Sequence, residues 1–386
     1  MSDKNNKTLK PGWRRVKFGD VVRLSKARSQ DPLADGIERY VGLEHLEPGD
    51  LRIRSWGSVA DGVTFTSVFQ PGQVLFGKRR AYQRKVAVAD FSGVCSGDIY
   101  VLETKDAQVL LPELLPFICQ TDAFFDHAVG TSAGSLSPRT NWTSLADFEF
   151  SLPSIAEQEK LSGLFESSTS SIESHRLALS AAQKLLKRVH IDYVDSASGG
   201  ISLALDDALD QVIDYRGRSP NKSLSGVPLI TARNVRDGLL DFSQPEFIPE
   251  AEFDGWMTRG IPSVGDVLFT TEAPLGNVAR VPDMRFALAQ RLVCLRAKPG
   301  VMLSDYLFWL MRSPTTQQRA QQRATGSTVA GIKQSELRKI SVVVPPLNYQ
   351  QECIENLNAI EDVCRSIEKK LVEAIRLQQL MMGEFL

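Results

Sequence analysis

LPSIAEQEKLSGLF, residues 152–165, and VPPLNYQQECIENL, residues 344–357, stand 192 positions apart and follow one plan. Each opens with an apolar residue and a proline that close a β-like run, and each then becomes a series with apolar residues at heptad spacing. Because proline disfavours helical geometry in the residue before it, both stretches predict an abrupt change from strand to helix. The chain therefore holds two strand-to-helix transitions, and its organisation follows from that duplication.

The two helices that begin there carry matching apolar seams. In the first helix the seam steps by alternating fours and threes through Leu161, Phe165, Ser168, Ile172, His175, Leu179, Ala182, Leu186, Val189 and Tyr193. Adding 192 to each number gives Cys353, Leu357, Ile360, Cys364, Ile367, Leu371, Ala374, Gln378, Met381 and Phe385. This spacing is typical of a coiled coil with about 3.5 residues per turn. It predicts two long helices that pack antiparallel and cover each other's seam.

The repeat continues outside the helices. Gly72–Phe76 corresponds to Gly265–Phe269, and Asp98–Leu102 corresponds to Arg291–Leu295. Turns rich in Gly, Pro, Asn and Asp separate short β-like runs, predicted at Tyr40–Leu43, Val74–Phe76, Val86–Ala89, Ile99–Leu102, Phe148–Leu152, Leu229–Ala232, Val267–Thr270, Val278–Val281, Leu292–Arg296 and Ile340–Val344. A helix precedes the last run of each half, at about Leu111–Ala128 and Leu303–Arg323. Strands mixed with one or two helices indicate an α+β domain.

Together these patterns predict four segments. A domain over 1–154 is followed by a long helix over 155–197, a second domain over 198–346 and a second long helix over 347–386. The predicted fold class is α+β, with two duplicated mixed-sheet domains joined by two long antiparallel coiled-coil helices in a pseudo-twofold arrangement. The apolar scaffold repeats while the polar positions differ, which indicates two related binding tasks on two different targets.

Composition sets bounds on the class of protein. With 386 residues and 42% hydrophobic residues, the chain can bury two ordinary cores without disulfides or metals. Its net charge of −1 gives no overall basic field, so a nucleic-acid partner would need a local basic face. The five cysteines have no metal-ligand spacing, and no apolar run approaches the roughly 18 residues of a membrane span. We therefore expect a cytoplasmic protein with reduced thiols and no membrane partner.

Motifs for catalysis are nearly missing. Residues 72–79, GQVLFGKR, resemble a phosphate-binding loop, but Arg79 stands where a Ser or Thr would hold magnesium. The Asn/Asp-Pro-Pro-Tyr/Phe tetrapeptide of amino-methyltransferases does not occur, and the four histidines are scattered. The sequence thus predicts no catalytic residue, no metal site and no cofactor in this chain.

Polar binding groups instead cluster where strands lead into loops. Lys and Arg neutralise phosphates, and Arg, Asn or Gln can also bond base edges in the major groove. The candidate residues of the first half are Lys78, Arg79, Arg80, Tyr82, Gln83, Arg84, Lys85, Arg139 and Asn141. Those of the second half are Arg216, Arg218, Asn221, Lys222, Arg233, Asn234, Ser327, Thr328 and Lys333. A solvated surface is the alternative for any single cluster, but their recurrence at equivalent loops favours binding.

The repeated phrases resemble those of DNA specificity (S) subunits of type I restriction–modification systems. The resemblance is carried by residues 152–159 and 344–351, by Gly72–Phe76 and Gly265–Phe269, and by residues 229–235. It extends from about Trp13 to Leu386. Asn348 and Tyr349 depart from Ala156 and Glu157 of the first copy, at the start of the helix.

The resemblance implies a non-catalytic subunit that reads a split double-stranded DNA site, with one target recognition domain per half-site. The helices would set the spacing and dock two modification (methyltransferase) subunits, and restriction (translocase/endonuclease) subunits could join them. S-adenosylmethionine, ATP and magnesium are then expected in those partner subunits. The alternatives are a two-domain scaffold that binds proteins, with the helices as a spacer, and an enzyme with an irregular site.

Overall fold

A computed structural model describes residues 9–197, 199–215, 217, 219–236, 238–326 and 329–385. They form two compact units. The first comprises the described residues up to Arg176 together with those from Lys369 onward, and the second runs from Leu177 to Glu368. Each long helix therefore contributes one part to each unit.

The first unit is built on three sheets. A four-stranded antiparallel sheet has the order β2-β9-β6-β7, a second has the order β4-β3-β8-β5 with β3 and β8 parallel, and β1 pairs with β10. The strands are β1 (Arg14–Lys17), β2 (Val22–Leu24), β3 (Arg39–Val41), β4 (Gly57–Ser58), β5 (Ser67–Phe69), β6 (Val74–Gly77), β7 (Val86–Val88), β8 (Gly93–Cys95), β9 (Ile99–Thr104) and β10 (Glu149–Leu152). The helices are α1 (Phe18–Val21), α2 (Leu115–Ile118), α3 (Asp122–Gly130), α4 (Trp142–Ala146) and the start of α5 (Ile155–His190).

The second unit repeats this plan. A four-stranded antiparallel sheet has the order β12-β20-β17-β18, β13 lies between antiparallel β16 and parallel β19, and β11 pairs with β21. The strands are β11 (Ile201–Ala204), β12 (Leu209–Asp214), β13 (Val227–Ile230), β14 (Val235–Arg236), β15 (Leu239–Leu240), β16 (Phe247–Ile248), β17 (Val267–Thr271), β18 (Leu275–Arg280), β19 (Ala287–Leu288), β20 (Leu292–Ala297) and β21 (Ser341–Val344). The helices are α6 (Phe253–Trp256), α7 (Ser304–Arg312), α8 (Pro314–Gln322), α9 (Gln334–Leu337) and α10 (Leu347–Phe385).

The long helices bury the predicted seams. Every described seam side chain is buried or half-buried, while most positions between them are exposed. The side chain of Phe385 is not among those that the structure describes. In the first unit Gln378 donates a hydrogen bond to Thr169 Oγ1 at 2.9 Å, and in the second Tyr193 donates to Glu352 at 2.9 Å. The early part of α5 thus packs with the late part of α10 and the reverse, which confirms the antiparallel prediction. A π-helical turn over Ile191–Asp195 ends the first helix.

A buried glutamine fixes each long helix to its domain. Gln158 accepts from Leu111 N at 2.9 Å and donates to Val109 O and Pro153 O, each at 3.0 Å. Its repeat partner Gln350 makes the same three bonds to Leu303 N, Val301 O and Pro345 O at 2.8, 2.9 and 2.8 Å. Both side chains are 1% exposed or less. The duplicated stretches are therefore alike because each must satisfy the same three backbone groups.

Two predicted helices are interrupted. The helix expected over Leu111–Ala128 is split into α2 and α3, and the one over Leu303–Arg323 is split into α7 and α8. In the second case Pro314 lacks the N–H that a continuous helix needs, and Ser313 Oγ accepts from Thr316 N as an N-cap. In the first case Thr121 Oγ1 accepts from Phe124 N in the same manner. The continuous-helix prediction was wrong, because both breaks are capped locally.

The division into target recognition domains over 1–154 and 198–346, with helices over 155–197 and 347–386, stays a prediction about function.

Among the described residues, no helix combines the length and the apolar character that crossing a bilayer requires.

Candidate nucleic-acid interface

The basic loop of the first unit lies between β6 and β7. It contains a single 3-10 turn, Ala81–Gln83, between two residues with left-handed backbone, Arg80 at φ 54° and Arg84 at φ 55°. Non-glycine residues adopt this conformation rarely, so the loop has a defined and tightly turned path. Tyr82 at its tip is 55% exposed, and Gln83 beside it is half-buried.

A single carboxylate organises two of the predicted cations. Asp98 Oδ2 accepts from Arg79 Nη1 at 3.2 Å, and Asp98 Oδ1 accepts from Arg139 Nε at 2.8 Å. Partial burial alone would raise the pKa of Asp98, but the hydrogen bonds from Arg139 and Arg79 outweigh it and hold that pKa below its ordinary value. Asp98 is therefore ionised at neutral pH and keeps both guanidinium groups in place.

A closed loop over residues 133–139 completes this surface. Ala133 and Arg139 exchange backbone hydrogen bonds at 3.0 and 2.9 Å, and Arg80 N donates to Pro138 O at 2.7 Å. Ser137 Oγ accepts from Arg79 Nη2 at 3.1 Å and from Arg80 Nη2 at 3.3 Å. Hydrogen bonds to this second loop thus hold the guanidinium groups of Arg79 and Arg80 in place.

The other cations of the basic loop have internal partners. Lys85 Nζ donates to Leu43 O at 2.6 Å, and Arg84 contacts Gln120 O at 3.1 Å and Asp122 at 2.6 Å. Lys78 Nζ lies 4.6 Å from the ring centre of Tyr100. These contacts brace the loop, so Arg84 and Lys85 have less freedom than the sequence pattern indicated.

Asn141 serves as a helix cap. Its Oδ1 accepts from Ser144 N at 2.8 Å at the start of α4, and the residue is exposed. Asn141 lies two residues from Arg139 in the sequence.

Four of the residues predicted for the second unit line three adjoining surface concavities: Lys222, Arg233, Asn234 and Lys333. The first, of about 450 Å³, is lined by Lys333, Gln290 and Arg291 among others. The second, of about 270 Å³, shares Gln290 and Arg291 with it and adds Lys222 and Arg233. The third, of about 320 Å³, shares Arg233 with the second and adds Asn234.

The predicted residues that the structure describes in this unit differ in the exposure and the partners of their side chains. Lys222 Nζ lies 2.9 Å from Glu246, and Asn221 Nδ2 donates to Glu252 at 3.1 Å. Arg233 and Lys333 are exposed. Asn234 is 6% exposed, accepts from Thr231 N and Oγ1, and donates to Asp241 O at 2.8 Å, which favours a supporting role. Arg216, Arg218, Ser327 and Thr328 lie outside the described residues.

Two residues at the centre of these surfaces were not predicted from the sequence. Asp98 organises the first surface, and Arg291 lies where two concavities of the second unit meet. The signal was present, because these two residues open the matched runs Asp98–Leu102 and Arg291–Leu295. A search for cations alone does not find Asp98, because Asp98 is a carboxylate that holds Arg79 and Arg139.

The described residues bear on metal binding and on thiol reactivity, and all five cysteines are buried. No group of three or more described His, Cys, Asp or Glu side chains is placed to hold a metal ion. Burial raises the pKa of the Cys95 thiol to about 12 and also raises those of Cys119 and Cys294, so these thiols are protonated at neutral pH.

Comparison with known proteins gives a consistent result. The family model of the type I restriction modification DNA specificity domain matches residues 260–377. The specificity subunit of the type I restriction enzyme EcoDI from Escherichia coli is 29% identical over 159 residues, which are 39% of this chain and 33% of that protein. The match therefore spans about a third of the relative's length.

Solved structures of low sequence identity share the fold. An S subunit of a type I restriction-modification system from M. genitalium superposes with a TM-score of 0.64 at 11% identity, over 98% of this chain and 97% of that one. A chain from a structural study of complex assembly and conformational transition of the type I R-M system gives 0.60 at 19% identity, over 98% of both chains. Residues 260–377 therefore match the type I restriction modification DNA specificity domain, and the fold of the chain is similar to that of these two solved structures.

Proposed function

We propose that this chain reads a split double-stranded DNA site, one unit per half-site, as the specificity subunit of a type I restriction–modification complex. The observation that carries the proposal is the duplicated loop surface. Each unit has the same strand-to-loop frame, closed by the Ala133–Arg139 bridge in one and the Thr325–Gly331 bridge in the other, yet the side chains on the two frames differ.

The chemistry of the first surface suits a DNA backbone and base edges. Arg79 and Arg80 lie on the basic loop, Arg139 lies on the closed loop over residues 133–139, and Lys78 and the exposed Tyr82 lie beside them. Cations neutralise phosphates, and arginine can also pair with guanine in the major groove. Because the overall charge is −1, such local clusters have to supply the attraction.

The long helices are the proposed spacer and docking element. The described seams of α5 and α10 are covered, while α5 exposes Leu177 (63%) and Leu185 (52%), and α10 exposes Val372 (60%), Leu377 (58%) and Leu380 (61%). Two modification subunits are the partners we assign to the helices, with restriction subunits joining the assembly. S-adenosylmethionine, ATP and magnesium would act in those partners, and this chain would itself be non-catalytic.

Methylome sequencing tests the proposal. A host strain carrying its modification subunits is compared with and without this gene. We expect an interrupted motif with methylated adenines that appears only when the gene is present. No change in the methylome, although the partner subunits co-purify with the chain, would favour a protein-binding scaffold.

A further inference from the structure

The two units use one backbone frame at the centre of their loop surfaces. Lys78 N donates to Asp98 O at 3.0 Å, and Thr271 N donates to Arg291 O at 2.9 Å. On the other side, Thr140 N donates to Lys78 O at 3.0 Å and Ile332 N donates to Thr271 O at 2.9 Å. These repeated bonds make Arg79 equivalent to Glu272, and Asp98 equivalent to Arg291.

The ion pair on this frame is reversed between the units. In the first unit the cation Arg79 follows β6 and its partner Asp98 precedes β9, at 3.2 Å. In the second unit the anion Glu272 follows β17 and the cation Arg291 precedes β20, with Arg291 Nε 3.9 Å from Glu272 Oε1. The frame therefore carries its cation on opposite strands in the two units.

Arg291 has the features of a contact residue. Its backbone is left-handed at φ 69°, which is rare for a residue with a side chain and often marks a functional site. Its side chain is 57% exposed and lines two concavities that also contain Lys222, Arg233 and Lys333. An exposed pair at such a distance contributes little to stability, so the guanidinium is available to a ligand.

We propose that Arg291 is a specificity-determining DNA contact of the second unit, and that Glu272 positions it. This inference rests on the proposed function. Glu272 faces the Nε edge of the guanidinium, which leaves Nη1 and Nη2 for the two acceptors that guanine presents in the major groove, O6 and N7. Because the ion pair is reversed, the cation that contacts the bases would follow β6 in the first unit and precede β20 in the second. The two units would then prefer different base sequences.

The test uses the full chain assembled with its modification subunits and duplex probes of the methylated motif. Probes with a single altered base pair in either half give the discrimination at each position. We expect Arg291→Ala to lose discrimination about tenfold or more at one position of one half-site, while the other half-site keeps its full discrimination. Arg291→Lys should not restore it, because lysine lacks the planar pair of donors.

Two further variants sharpen the result. Glu272→Gln should lower discrimination at that same position and leave binding to unrelated duplex DNA unchanged, as expected of a positioning residue. Arg285→Ala is the matched control, because Arg285 is an exposed arginine of the same unit paired with Glu250 outside these concavities. It should bind and discriminate as the wild type does.

Two outcomes would overturn the inference. One is an Arg291→Ala complex that discriminates at every position as the wild type does. The other is equal weakening on all sequences with restoration by Arg291→Lys, which is the behaviour of a phosphate contact. A wild-type complex with no sequence preference would instead overturn the proposed function itself.

Discussion

At the scale of single residues, His190 shows how a repeat position acquires its own chemistry. It stands 192 positions before Met382, and each of the two packs on the aromatic core of its unit. His190 Nε2 lies 2.8 Å from Trp309 O, and the residue is 9% exposed. Burial chiefly lowers its pKa below 6.5, and Arg312 lowers it further, while the bond to Trp309 O and the charges of Asp195 and Glu361 oppose the shift.

This depressed pKa predicts a pH-dependent stability of the second unit. Above about pH 6.5 both folded and unfolded states hold a neutral imidazole, so stability is fully present. As the pH falls below that value, His190 binds a proton in the unfolded chain but not in the folded one, and the free energy of unfolding decreases. Denaturation of the wild type from pH 7 to 5 should show this loss, and His190→Met should reduce it. An unchanged slope in the variant would contradict the assignment.

The basic loop predicts different effects for neighbouring residues. Lys85 braces the loop through Leu43 O, whereas Tyr82 is 55% exposed at the tip. Lys85→Met should therefore cost about 1–2 kcal/mol in the free energy of unfolding, because a charged donor is lost from a half-buried site. Tyr82→Ala should change stability by less than about 0.5 kcal/mol but weaken DNA binding by the assembled complex. Urea denaturation and DNA titration of both variants check this, and the reverse pattern would contradict it.

At the scale of elements, strands and seams could be predicted because their signals are local. Apolar runs between turns predicted strands at Val74–Phe76 and Ile99–Leu102, which the structure extends to Val74–Gly77 and Ile99–Thr104, and heptad spacing predicted the seams. The break at Ser313-Pro314 was missed although Pro314, which cannot continue a helix, marks it in the sequence. Two-residue strands such as Gly57–Ser58 were also missed, because pairing with a neighbour defines them and no periodicity marks them.

The glutamine that joins helix to domain gives a prediction for the second unit. Gln350→Leu keeps the approximate size but leaves Leu303 N, Val301 O and Pro345 O without their partner. Because unpaired buried polar groups cost about 1–3 kcal/mol each, we expect a loss of about 3 kcal/mol or more in the free energy of unfolding. Gln351→Leu, on the exposed neighbour, is the control and should change it by less than about 0.5 kcal/mol. Equal losses in the two variants would contradict the assignment.

At the scale of the whole molecule, the duplication could be predicted from the sequence, whereas the contacts that each side chain makes could not. Asn234 was selected as a binding residue from its loop position, yet the folded chain surrounds its amide with backbone partners. Asp98 was overlooked, because its role depends on Arg79 and Arg139, which are distant in sequence. Composition and spacing identify where a loop lies, but only the fold decides which groups remain free.

Helix length predicts the distance between half-sites. Inserting four residues after Ala182 lengthens α5 by about 6 Å and rotates its far end by roughly 40°. With DNA rising about 3.4 Å per base pair, the preferred gap should grow by one or two base pairs while both half-site sequences stay the same. Some loss of affinity is expected because α10 is not lengthened. Methylome sequencing of the variant measures the gap, and an unchanged gap at intact affinity would mean that the helices do not set it.

The central claim is that the two units read two halves of one DNA site independently. The most direct measurement exchanges residues 1–154 for the corresponding segment of another family member and sequences the methylome of the host. Because the second unit keeps its own loops, we predict that one half of the methylated motif changes and the other half is retained. A motif that changes in both halves, or in neither while methylation persists, would contradict the claim.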